Sequence, residues 1–406
     1  MVLPQIQSIE LARYRGFRDA QRMDLARLNL VYGENNSGKS ALARISPLLA
    51  ASRTQGRPGL DLGADVLRGA GFRELKWRGP LPTDEDSDLV LGVGLSDGSR
   101  WRWAFRWLDS WAVAAVQRID VSTPVGRAEF ERPDLASLPP KDAEYMSPLG
   151  MRRLVFDGLI PRAGASELLD GCRDGLTSAL DGVIWLQAMR QGPFREGTPL
   201  GTQGSVTGDG EGASALVLAN AALRRNVSEW FRCHARCSVE VESLGADRQR
   251  LVLQPIDTNA YAAPFPDVGE GLQQVFPLVV ALELLRDKGG LLSVEEPESH
   301  LHPRLQRALA ALIVDVLSAQ PEASVILETH SEVFLMAALR AAVGALSGAV
   351  RVHWVESGTD GAARIEVIPL DAEGRPATPR LEQAFDTMGI MRRELLQERR
   401  SAVREP

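Results

Sequence analysis

Apolar residues alternate with polar ones from Ile6 to Leu11, the period of a half-buried strand. A compact apolar run, Leu28–Tyr32, follows and stops at Gly33. A helical stretch begins at Lys39, and Pro47 is expected to end or kink it early, because proline has no N–H to give to a helix. Residues 52–72, rich in Gly, Arg and Asp, read as loop. Leu89–Leu108 reads as a hairpin turned by Ser96-Asp97-Gly98-Ser99. In its second strand Trp101, Trp103, Phe105 and Trp107 face one way, and Arg100, Arg102 and Arg106 the other. Residues 125–150 are dotted with proline and carry weak signals, and the six glycines of Gly197–Gly212 predict a mobile loop.

The second half is more regular. Ala213–Phe231 is helix-like, Ser238–Ser243 and Leu251–Pro255 form a second hairpin, and a helical pattern runs from Gly271 to Glu283. Leu291–Glu295 is a strand, Pro303–Leu317 a helix and Val325–Glu328 a strand. That helix carries Leu305, Leu309, Leu312 and Val316 on one buried face. Strands near Val350–Val355 and Arg364–Ile368 and a charged helix complete the chain. No internal repeat occurs, and no heptad array is long enough for a coiled coil.

The chain has 406 residues, of which 44% are apolar and 24% charged, with a net charge of -7. That length suits two packed domains or one domain with a large insertion. Three cysteines, an odd number, argue against a disulfide framework and fit a reducing cytoplasm. No apolar run approaches the roughly eighteen residues of a membrane span. Met1–Asp24 lacks the apolar core of a signal peptide, so a cytoplasmic protein with no membrane role is expected. Four of the 46 basic residues are lysines. One of the four, Lys39, falls in the first chemical motif.

Gly33-Glu34-Asn35-Asn36-Ser37-Gly38-Lys39-Ser40 satisfies the phosphate-loop pattern G-x-x-x-x-G-K-[ST], with an apolar strand before it and a helix after it. The glycines let successive N–H groups point inward at a triphosphate, and the helix N-terminus adds its positive end. Lys39 would bridge the β- and γ-phosphates and Ser40 would ligate Mg²⁺. A second apolar strand ends in Glu295-Glu296, where one carboxylate can hold hydrated Mg²⁺ and the next can polarise an attacking water. Ser293 interrupts that strand and is tolerable if its hydroxyl bonds locally. A third strand leads into Glu328-Thr329-His330-Ser331, and in a parallel sheet its end lies beside the paired acids. Asp267-Val268-Gly269-Glu270-Gly271-Leu272-Gln273-Gln274 opens the helix before the paired acids and can offer N–H groups to a phosphate.

Together these motifs resemble the ATP-binding-cassette ATPases of the RecF, SMC and OLD-like type, the AAA/ABC-type ATP-binding proteins common in bacterial defence and mobile-element loci. The resemblance rests on the phosphate loop as Walker A, on Glu295-Glu296-Pro-Glu-Ser-His300-Leu-His302-Pro as Walker B and D-loop, and on His330 as switch histidine. Asp267–Gln274 is similar to the signature loop, and Arg13-Tyr-Arg15-Gly-Phe17-Arg to the turn near adenine and phosphates. Trp185–Arg195 is similar to the Arg–Pro–Arg element near the Q-loop, whose glutamine is Gln187 or Gln191. The glycines around 204–211 and Asp371-Ala-Glu-Gly also fit. Two departures stand out: the signature lacks its usual serine, which leaves backbone N–H groups at Gly269–Gly271, and the first Walker B acid is Glu295 rather than Asp.

The resemblance implies an α/β fold, a P-loop NTPase head of ABC type with a mixed or parallel central sheet, an antiparallel β subdomain and a helical insertion. It divides the chain into residues 1–51, a β-rich and helical insertion over 52–185, the rest of the head over 186–349, and completing strands and a helix over 350–406. ATP and Mg²⁺ are the implied cofactors. Gly33–Ser40, Arg13, Arg15, Gly269, Glu270, Gly271 and Gln273 would bind nucleotide, and Ser40, Glu295 and Gln191 metal. Glu296 would act as base, with Lys39 and His330 at the phosphates. Two copies would sandwich two ATP molecules.

Three roles are open: a nucleotide-driven switch for a separate nuclease or toxin effector in phage defence, a DNA-repair ATPase that binds DNA directly, and an assembly scaffold with little turnover. The 76 residues after His330 contain no Asp-x-Asp, which argues against a fused TOPRIM nuclease. Arg100, Arg102 and Arg106, with Arg224, Arg225, Arg232 and Arg236, are candidate DNA contacts, but the net negative charge offers no bulk attraction. Cys233-His-Ala-Arg-Cys237, with Cys172 as a remote addition, reads as buried free thiols more readily than as zinc ligands. His300 and His302 read as packing or dimer-contact residues.

Overall fold

The computed structural model describes residues 4–371 apart from 55–58, 81–86, 133–143, 149, 165, 198–204, 246–247, 257–259 and 347. The charged helix expected after residue 371, most of Asp371-Ala-Glu-Gly, the start of the glycine-rich loop and part of 125–150 lie outside these residues.

A six-stranded sheet organises the molecule. Its order is Val183–Leu186, Gly290–Glu295, Ala323–Glu328, Leu28–Gly33, Val350–Ser357 and Ala363–Ile368. The first five strands are parallel and the sixth is antiparallel. The three motif strands read as continuous apolar runs because both faces of the sheet are covered. One face, with Leu30, Val294 and Leu327, packs on the helices Ala221–Ala235, Glu270–Lys288, Pro303–Ala319 and Glu332–Ala342. The other, with Val31, Leu291 and Ile326, packs on the helices that follow the phosphate loop, on the helix Glu167–Asp181 and on a second sheet.

That second sheet has eight antiparallel strands and includes Ile6–Ala12, Leu89–Leu95, Arg100–Leu108 and Val113–Thr123. The tryptophan face of its hairpin is inward: Trp101, Trp103 and Phe105 are fully buried, and Trp107 is half-buried. Residues from 1–51 and from 52–185 share this apolar core.

Local readings needed adjustment at two helices. The helix after the phosphate loop breaks at Arg44, into Lys39–Ala43 and Ile45–Ala51, and Pro47 sits in the first turn of the second piece, where its missing N–H costs nothing. The stretch 213–231 is also two helices, divided at Asn220, whose side-chain oxygen accepts from the N–H groups of Ala222 and Leu223 at 3.0 and 3.1 Å. The helix at Pro303 buries Leu309, Leu312 and Val316 as its periodicity requires, and Leu305, in its first turn, is half-buried.

His353, fully buried beside the phosphate-loop strand, places Nε2 3.3 Å from Asn29 Oδ1. Burial, with Arg351 nearby, pulls its pKa down to about 4. A folded pKa below the unfolded value of about 6.5 means that stability is intact above that pH and is lost as pH falls toward 4. We expect His353→Gln to lose about 2 kcal/mol less than the wild type between pH 7.5 and pH 5. Urea unfolding of both proteins at the two pH values checks this, and equal losses would refute it.

Candidate functional site

The carboxyl ends of the parallel strands open into a cavity of about 880 Å³. The phosphate loop forms its floor, and Arg15, Glu328 and His330 contribute to its walls. Gly33 has no alternative at its position: with φ near +150°, an added Cβ would lie 2.1 Å from the Val355 carbonyl oxygen. Lys39, 3% exposed, donates from Nζ to the Gly33 carbonyl at 2.9 Å and to the Glu34 carbonyl. Burial pulls its pKa down, and Glu328, Glu296 and Glu34 oppose that shift. A compact ammonium held by the loop's own carbonyls suits this space, whereas a guanidinium would not.

Sheet register sets Glu295, Glu328 and Val31 side by side on three adjacent strands. Both carboxylates therefore project toward the helix that follows the phosphate loop. The Ser293 hydroxyl, on the same face, donates to the Ala43 carbonyl at 2.6 Å and so finds the local partner its burial requires.

The two acids have different surroundings. Glu295 is 2% exposed and accepts from Arg44 Nε and Nη2 at 2.6 Å each, from Arg68 Nη2 at 2.9 Å and from Trp185 Nε1 at 3.1 Å. Glu328 accepts from the Ser40 hydroxyl at 2.5 Å through Oε1, and its buried Oε2 has no hydrogen-bond partner. Burial pushes the Glu328 carboxyl up to about 7 against the pull of Ser40, and the neighbouring Glu295 charge adds to the rise.

Past the Walker B strand the chain turns sharply. Glu296 has φ 42, a left-handed conformation costly for a side chain of this size, and its N–H donates to the Glu328 carbonyl at 2.8 Å. The Glu296 carboxylate accepts from the Ser299 hydroxyl at 3.0 Å and lies 3.9 Å from His330 Nε2. Burial, with Lys39 nearby, lowers the His330 pKa and favours the neutral ring.

Two residues that lie in the motifs, with no site role assigned from sequence, hold this corner. Arg190, buried, donates to the carbonyls of Gln187, Gln274, Glu295 and Glu296 at 2.8–3.3 Å. Burial lowers its pKa to about 10, so it stays charged at neutral pH. Glu298 Oε1 accepts from the Thr329 hydroxyl at 2.7 Å and from the N–H groups of His330 and Ser331 at 3.0 and 3.1 Å. Glu298 thus fixes the turn that presents His330. Its place in the Glu-Pro-Glu run was the available signal, whereas Arg190 matters through contacts far apart in the chain.

The remaining expected residues divide into two groups. Arg15 lines the cavity with φ 51, and no hydrogen-bond acceptor meets its Nε or Nη2. Arg13, also left-handed, turns away and donates from Nε to the Asp88 carbonyl at 2.5 Å. The signature segment lies outside the cavity walls. Gly269 caps the helix Glu270–Lys288, and the Gln273 amide donates to the carbonyls of Pro266 and Val268 at 3.2 and 2.8 Å. Glu270 lies 3.6 Å from His300, and a Cβ on Gly271 would stand 2.5 Å from the His300 carbonyl oxygen, so signature and D-loop pack directly together. Neither Gln187 nor Gln191 lines the cavity, and Gln191 donates to Asp209 at 2.9 Å. Lys76, Trp77 and Arg78 do line it, held there because residues 75–77 pair with the 13–15 turn. Their segment had no periodic signal.

Residues 242–337 match the family model described as "AAA domain, putative AbiEii toxin, Type IV TA system". No curated protein matches the chain. Among solved structures, the Smc head domain with an extended coiled coil bound to the C-terminal domain of ScpA, derived from Pyrococcus furiosus, aligns with 96% of this chain and 100% of its own at 13% identity and TM-score 0.51. The fold is that of an Smc head domain. The SMC head domain from Thermotoga maritima aligns with 90% of this chain and 100% of its own at 12% identity and TM-score 0.41. The described residues include no helix long and apolar enough to cross a membrane, and no group of three or more His, Cys, Asp and Glu side chains arranged to hold a metal by themselves. Cys172, Cys233 and Cys237 are free thiols; Cys172 and Cys237 are buried as expected, whereas Cys233 is exposed.

Proposed function

We propose that this protein binds and hydrolyses ATP as a cytoplasmic switch, closing as a homodimer around two nucleotides and passing that change to a separate effector. The observation that carries the reading is the division of the site. Lys39, Ser40 and His330 share one cavity, while Gly269–Gln273 sit outside it on the same chain. A second copy is the natural source of signature N–H groups for the γ-phosphate.

In this scheme Lys39 and the loop N–H groups hold the triphosphate, with the Arg15 guanidinium, which lies over the Tyr14 ring, adding positive charge at the cavity wall. Glu296 takes the proton of the attacking water, and neutral His330, fixed by Glu298, contacts the γ-phosphate. Ser40 and a strand-end carboxylate supply the hard oxygen donors that Mg²⁺ prefers, and the unpartnered Glu328 oxygen fits such a cation. Mg²⁺, when bound, neutralises charge on the phosphates.

An effector partner is favoured over DNA because the net charge of -7 offers no bulk attraction and part of the arginine set is already engaged within the chain. Arg106 makes a bidentate pair with Asp88 at 2.6 and 2.8 Å. Arg224 is engaged with the carbonyls of Val217 and Leu218, and Arg232 with Glu229. The toxin–antitoxin wording of the family description supports a defence setting, and we propose a separate nuclease or toxin as the effector.

The test is dilution. Turnover per subunit is expected to fall as the protein is diluted through its dimer dissociation range at saturating ATP. Turnover that stays constant per subunit would remove the shared-site mechanism.

A further inference from the structure

We infer that Glu328, rather than the Walker B acid Glu295, is the protein carboxylate that binds the nucleotide's Mg²⁺, and that Glu295 is an internal anchor. The inference rests on the ATPase reading above and assigns its metal ligand.

The argument is one of available lone pairs. An ionised carboxylate has about four acceptor positions. All four on Glu295 are taken: Oε1 by Arg44 and Trp185, Oε2 by Arg44 and Arg68. Arg44 is itself buried, so drawing Glu295 to a metal would leave a guanidinium without its counter-charge in a dry interior. Those bonds also tie the phosphate-loop helix, the Arg68 turn and Trp185 to the Walker B strand.

Glu328 has the complementary properties. Its strand adjoins the phosphate-loop strand directly, whereas the Glu295 strand is one further away. Its Oε1 already touches the Ser40 hydroxyl, the other expected metal donor, and its Oε2 is buried without a partner. It borders the cavity, which Glu295 does not. A buried carboxylate oxygen with no donor, next to a phosphate-loop serine, is an acceptor that can bind a cation without giving up an existing bond. Mg²⁺ keeps most of its shell as water and phosphate and asks for one or two protein oxygens, which Ser40 and Glu328 supply.

The test uses the full chain with Mn²⁺ as the probe, followed by electron paramagnetic resonance in the presence of the non-hydrolysable analogue AMP-PNP. Glu328→Gln is expected to weaken Mn²⁺ binding to the nucleotide complex at least tenfold while leaving AMP-PNP binding in EDTA within about threefold of wild type. Glu295→Gln is expected to retain Mn²⁺ affinity within about threefold and to lower the melting temperature. If that variant does not fold, the double variant Arg44→Gln, Glu295→Gln removes both charges and takes its place. Wild-type Mn²⁺ affinity in Glu328→Gln, or an equal loss in a folded Glu295 variant, would overturn the assignment. Failure of the wild type to bind AMP-PNP even in EDTA would overturn the ATPase reading and the assignment with it.

Discussion

Lys39→Ala is expected to abolish ATP binding without unfolding the protein. The ammonium is buried at the cavity floor and donates to two carbonyls of its own loop. In the nucleotide complex those bonds would be exchanged for phosphate oxygens, and a charge-assisted hydrogen bond contributes roughly 1.5–3 kcal/mol. Two such contacts correspond to a loss of about 10²–10⁴ in affinity. Burial of the ammonium opposes its charge, so the alanine variant should melt near the wild-type temperature. Calorimetric titration with ATP, alongside a melting curve, separates lost binding from lost folding. Lys39→Arg should fail as well, because the wider guanidinium does not fit between the Gly33 and Glu34 carbonyls. Near-native affinity in either variant would refute the phosphate-loop assignment.

Glu296→Gln should bind ATP, lose hydrolysis and accumulate as a closed dimer. Gln preserves the shape of the side chain and the contact to the Ser299 hydroxyl, and removes the oxygen that accepts a proton. Loss of a general base costs about 10²–10⁴ in rate. The Arg190 bonds to the Glu295 and Glu296 carbonyls and the Glu296 N–H bond to the Glu328 carbonyl hold the strained backbone independently of that charge, so the fold is expected to survive. Single-turnover hydrolysis and size-exclusion chromatography with ATP give the two readouts. A fully active variant would move the base to another group.

Much of the proposed site was legible because phosphate chemistry makes local demands. Gly33–Ser40 had to be contiguous, since successive N–H groups and one lysine must converge on one group. The paired acids and His330 were legible because each ends an apolar strand, and parallel strands end together. Trp101, Trp103 and Phe105 were assigned to the core by period alone and are buried.

Other parts depended on contacts between distant segments. Arg190 stabilises the Walker B turn across more than a hundred residues, and Trp77 enters the cavity because its segment pairs with the turn at Arg13–Arg15. Neither relation leaves a periodic trace.

The chain's linear pattern was enough to establish a P-loop α/β head, its phosphate loop and the strands that carry its acids, because helix and strand periods and loop chemistry act over neighbouring residues. It could not distinguish Glu295 from Glu328. The two carboxylates stand level on adjacent strands, and their difference arises from what folding brings to each: two arginines and a tryptophan around one, a serine hydroxyl and an unfilled lone pair at the other. Electrostatic partners are assigned in three dimensions, and the same residue type has a different chemistry wherever they differ.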